Sequence, residues 1–188
     1  MTKRLILLPV VCLFCAIQIA FAQNGFQLEN AGFEDWKSTT LPVSWNTYET
    51  AVSSSSLTNM AINSNQCKQG QGHSGNYAVV AVSRVIKILG LSVPANGIVT
   101  SGVINAGSTT PTDPKNNNQT IAGASGKCME FFGRPDSVVA WIKALPKSST
   151  QLGRFYVMLH DNSSVQDPGT TWENVIAVAG LNPPAKDE

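Results

Sequence analysis

Ser137-Val138-Val139-Ala140-Trp141-Ile142-Lys143-Ala144 sets its two kinds of side chain at alternate positions, the mark of a strand with one buried face. In an extended chain successive side chains point to opposite sides, so Val138, Ala140, Ile142 and Ala144 share one face while Val139, Trp141 and Lys143 share the other. The first set reads as core. The same treatment of Gly153 to His160 puts Phe155, Val157 and Leu159 on a core face and Arg154, Tyr156, Met158 and His160 opposite. Leu145 to Gln151, with Pro146, is short enough for a hairpin-like connection that lays the outer sets side by side. The expected outer surface therefore presents Trp141, Lys143, Arg154, Tyr156 and His160.

Working outward, strand patterns recur. Tyr77 to Val82 is a valine-rich run expected to be buried on both faces, and Ile98 to Ile104, Cys128 to Phe132 and Trp172 to Val178 read as further strands. Helical spacing is almost absent, because every longer window is broken by Gly, Pro or a Ser/Thr/Asn cluster. Asn105 to Gly126, carrying Pro111, Pro114 and the Asn116-Asn117-Asn118 run, reads as a surface loop. Short strands joined by turn-rich connections predict an all-β, antiparallel sandwich or jelly roll.

The first 22 residues read as a secretion signal: Lys3 and Arg4, an apolar stretch from Leu5 to Ile19, and Ala20-Phe21-Ala22 as the cleavage site before Gln23. Residues 23–188 then suffice for one domain. The full chain of 188 residues has 13 basic and 12 acidic side chains. Removing Lys3 and Arg4 leaves 11 against 12, a balance that gives no electrostatic case for nucleic acid or an anionic membrane surface. Cys12 and Cys15 leave with the signal. Cys67 and Cys128 remain as an even pair in an oxidising compartment, and a disulfide between them and two separately buried thiols are both open readings.

Aromatic rings beside long hydrogen-bonding side chains suit sugars, whose C–H faces pack on an indole while their hydroxyls need donors and acceptors around the rim. The outer face just described is such a constellation, or else an amphipathic surface with no ligand. Catalytic patterns are weaker. Gly72-His73-Ser74-Gly75 lacks the second spacer of a nucleophile elbow and precedes its strand, so it reads as a turn launching Tyr77. His160 and Asp161 are neighbours on an extended segment and so point apart. Of the scattered carboxylates, no spacing selects a glycosidase pair. The oxygen-rich loop Asp161 to Gly169 has Val165 where a calcium loop needs an oxygen.

Several fragments in order carry a resemblance: Asn30-Ala31-Gly32-Phe33-Glu34-Asp35-Trp36, Pro42 to Trp45, His73-Ser74-Gly75-Asn76-Tyr77-Ala78, Thr100-Ser101-Gly102, Gly133-Arg134-Pro135 before Trp141-Ile142-Lys143, and Thr171-Trp172-Glu173. Together they resemble the PCMD family, a carbohydrate-metabolism domain of exported Bacteroidetes proteins, over most of the mature chain. The resemblance implies a jelly-roll sandwich like those of carbohydrate-binding modules, on secreted or cell-surface proteins associated with glycan use. It also implies a closing Val-Asp-Asp strand not reached by Glu188, hence a domain incomplete at its C-terminal end. In related sandwich modules the glutamate of the G-F-E motif helps hold a structural calcium, a role that falls on Glu34 here, which reads equally as a rim carboxylate. The expected function is non-catalytic glycan binding, with a glycan-processing enzyme domain and a structural or adhesion module as alternatives.

Overall fold

The computed structural model describes residues 27–62, 66–148, 152–170 and 172–183. The expected signal segment, residues 1–22, lies outside them. The architecture is all-β: thirteen short strands among the described residues, two 3-10 turns and one four-residue helix, α1 (Ser56–Asn59). Every ladder between strands is antiparallel. β1 (Trp36–Ser38) pairs with β2 (Leu41–Pro42), β3 (Asn46–Thr47) with β8 (Val99–Thr100), β4 (Cys67–Gln71) with β5 (Tyr77–Ala81), and β6 (Arg84–Ile88) with β7 (Leu91–Ala95). β10 (Asn116–Thr120) lies between β9 (Val103–Ala106) and β12 (Val165–Asp167), and β11 (Phe155–His160) pairs with β13 (Val175–Leu181).

The core sits among β3, α1, β6, β7 and β9. Ala51, Ile62, Ile104 and Ala106 form one buried cluster and Ala61, Ile88 and Val93 another, with Tyr48 packed against both. The β6–β7 hairpin, absent from the strands expected above, alternates: Ile86, Ile88, Val93 and Ala95 turn inward while Val85 and Lys87 stay out. Its turn, Leu89-Gly90, has positive φ at both residues (49° and 83°), the mirror-image geometry that matches strand twist.

Several expected strands differ. Ser137 to Ala144 forms no strand, and Val138, Val139 and Ile142 are exposed, so the assigned core set is not core. Period-two patterning shows only that a segment could lie on a sheet; a ladder also needs a partner edge, and this segment has none among the described residues. Cys128 to Phe132 is likewise without strand structure. β11 forms, but its partner is β13, and all six of its residues are half-buried rather than split between two faces. β5 has exposed ends, so it is not buried on both faces. Ile98 to Ile104 divides into β8 and β9 at Ser101-Gly102, where Gly102 passes against the Gln119 backbone too closely for a Cβ. The supposed loop from Asn105 contains β10, the central strand of the three-stranded sheet.

Candidate functional site

The segment Asn30 to Trp36 folds on itself through side chains that can replace backbone partners. Asn30, at φ 47°, donates from Nδ2 to Asp35 O (2.8 Å) and Val43 O (2.9 Å), while its Oδ1 accepts the Asp35 N–H (3.1 Å). Asparagine is among the few residues that tolerate this left-handed conformation. Phe33 at φ 56° is costlier, and its ring packs on Trp45 with centroids 4.9 Å apart. The Trp45 indole N–H reaches Glu29 O and Asn30 O, both at 3.2 Å, and that of Trp36 reaches Phe33 O at 2.6 Å.

This compact turn aims Glu34 at the β4–β5 connection. Both Glu34 oxygens accept the Asn76 N–H (3.1 Å each), and Oε1 also accepts the Tyr77 N–H (3.3 Å). Gly75, at φ 94°, lies under the carboxylate, with no room for a Cβ. The same connection carries His73, whose imidazole stacks on Trp141 with centroids 3.9 Å apart and planes 9° from parallel. Trp141 is 73% exposed, so the indole face away from His73 is open to solvent. Glu34 thus positions a backbone loop whose histidine backs an exposed indole.

The five residues expected on one strand face are distributed differently. Trp141 meets His73, and Lys143 is exposed two residues on. Arg154 and Tyr156 do associate: the guanidinium carbon lies 4.9 Å from the ring centroid, and Nη2 pairs with Asp167 Oδ2 at 2.6 Å. His160 Nε2 is 2.9 Å from Thr120 Oγ1 and Nδ1 2.8 Å from Asp161 O. The expected hairpin joining the Trp141 and Tyr156 surfaces is not formed: among the described residues β11 pairs with β13, and Ser137 to Ala144 lies in no ladder.

Glu34, the expected calcium ligand, has its oxygens turned to the Asn76 and Tyr77 N–H groups. Among the described residues no three His, Cys, Asp or Glu side chains gather to hold a metal. Of the two readings open for Cys67 and Cys128, the structure has the separate thiols: both are free, Cys67 buried and Cys128 partly so. Burial, with the Glu49 charge adding to it, pushes the Cys67 thiol up to about 11, and burial followed by Glu130 raises Cys128. The Asp161 carboxylate accepts the Ser163 N–H at 2.9 Å, so it does not orient the His160 ring.

One group escaped sequence reading altogether. On one face of the β9–β10–β12 sheet, Asn105 Nδ2 donates to Asn117 Oδ1 (2.6 Å) and Gln119 Oε1 (3.2 Å), with Gln166 opposite Gln119 in register. Side-chain amides linked across strands let the Asn-rich segment form a central strand despite low β propensity. Asn116 to Thr120 is polar at every position and so shows no alternation, and the prolines before it point to a loop.

No match to this chain is found among protein-family models, curated proteins or solved structures.

Proposed function

We propose that the chain is an exported, non-catalytic β-domain of PCMD type that binds glycan on the open face of Trp141. The observation that carries this reading is the His73–Trp141 stack beside the Glu34-held loop. A sugar's C–H face packs on an indole, and a ring already held by a neighbour loses less freedom on binding. The exposed Lys143 stands close along the chain to serve sugar hydroxyls. Arg154, Tyr156 and His160 lie at β11, apart from this stack.

Affinity electrophoresis against a panel of neutral soluble glycans, comparing the native chain with Trp141→Ala, tests the proposal. Retention of the native chain that is lost in the variant supports it; equal mobility of both in every gel overturns it. Release of reducing ends from the same panel would point instead to a glycan-processing domain.

A further inference from the structure

β13 (Val175–Leu181) lies at the edge of its sheet: one side pairs with β11, and the other meets no strand among the described residues. Ile176 to Leu181 are all exposed, Ile176 to 71% and Leu181 to 54%. A free edge is a row of unpaired N–H and C=O groups, which proteins usually guard with charges, prolines or a covering element. β4 carries Lys68, β6 Arg84 and Lys87, and β7 Pro94, whereas Val175-Ile176-Ala177-Val178-Ala179-Gly180-Leu181 has neither a charge nor a proline. Its one irregularity, the extra residue Ile176 between the pairs Val175–His160 and Ala177–Leu159, falls at the start, so Ala177 to Leu181 run regularly. A two-stranded sheet is marginal by itself and gains from a third strand.

The residues of the edge select its occupant. In a twofold pair each side chain near the axis meets its own copy, so a charged residue there would repel itself and an uncharged strand does not. The chain as a whole, with 13 basic and 12 acidic side chains, carries too little net charge to hold two copies apart or to steer a charged partner. Antiparallel pairing about Ala179 also fits by size. It sets Leu181 opposite Ala177 on one face and Val178 opposite Gly180 on the other, a large residue against a small one each time. The seven residues a side fall short of the ~20–30 of a standard interface, so the pair is a weak one that depends on concentration.

We infer that two copies of this chain join edge to edge through β13, making one four-stranded sheet in the order β11–β13–β13–β11. Sedimentation velocity from about 1 μM to about 1 mM, the range in which a weak pair titrates, should show the mass moving from one chain toward two. Ala179 faces its own copy across the axis, so Ala179→Lys and Ala179→Glu should each raise the dissociation constant about tenfold or more. An equimolar mixture of the two variants should pair at least as well as the native chain, because the opposed residues then attract. Val85→Lys places the same charge on an exposed position of β6 and should leave pairing unchanged. Circular dichroism of each variant alone reads whether its fold is kept. A mass of one chain at every concentration overturns the inference and leaves the edge to a different protein. Growth past two chains, pairing that either single charge leaves intact, or folded variants that fail to pair when mixed overturn it as well.

Discussion

The carboxylate of Glu34 lies over Gly75 and binds the N–H groups of the next two residues, joining points of the chain 42 and 43 residues apart. Two short fragments that look unrelated in sequence are in space one device. The first is a self-bonded turn ending in a carboxylate, and the second is a glycine-hinged loop that receives it.

Gly75→Ala should therefore destabilise the domain more than a typical exposed glycine change. It adds a Cβ under the carboxylate and asks alanine to hold a φ of 94°. Hydrogen bonds to a charged group are worth ~1.5–3 kcal/mol, so Glu34→Ala should lower stability by up to that amount. Urea unfolding reads both changes. A chelator added to the same unfolding series tests the expected calcium: an unchanged midpoint means that the Asn76 and Tyr77 N–H groups alone satisfy Glu34.

Trp141→Ala should leave stability within ~0.5 kcal/mol while removing glycan retention, because the ring is exposed on an irregular segment. His73→Ala should weaken retention without abolishing it. A large loss of melting temperature in Trp141→Ala would show the ring to be buried and the platform absent.

Ile104→Ala should cost ~2–5 kcal/mol and Val139→Ala under ~0.5 kcal/mol. Ile104 is 2% exposed within its cluster, whereas Val139 is 83% exposed. Paired denaturation curves check this contrast, and comparable costs would return the segment from Ser137 to the core.

Both thiols should be free, so reduction leaves the unfolding curve unchanged, and Cys128 should react with a thiol reagent well before Cys67. The Cys67 thiol rises from 9.0 to about 11 on folding. The folded state thus holds a proton that the unfolded chain gives up first. The resulting stability is complete below pH 9 and is lost as pH rises toward 11. Cys67→Ala should flatten that alkaline decline, measured by thermal melts across the window.

Arg154→Ala should cost no more than ~1 kcal/mol despite a 2.6 Å ion pair with Asp167. The Arg154 side chain is 54% exposed, so water and salt screen most of the attraction. A double-mutant cycle with Asp167→Asn isolates the coupling, and a value of several kcal/mol would mean that the pair is shielded.

Composition and turn frequency alone determined that the chain is all-β, because frequent Gly, Pro and Ser/Thr/Asn clusters leave no room for a helix to bury a face. Strand patterning also placed β5 and β11 close to their observed bounds, whereas the strand expected over Trp172 to Val178 is a 3-10 turn up to Asn174 and β13 runs on to Leu181. Trp141 was legible as a ring beside polar side chains. Its partner was not: alternation says which side chains share a face of a strand but not which strand lies next to it. That choice belonged to tertiary structure. β11 paired with β13, the segment from Ser137 stayed outside every ladder among the described residues, and Trp141 stacked on His73. Likewise Asn116 to Thr120 reads locally as loop, and only the side-chain amides of neighbouring strands make it a sheet centre. Local patterns are set by the geometry of one chain segment; pairing is set by competition among distant segments for the same edge, and that competition is resolved only in three dimensions.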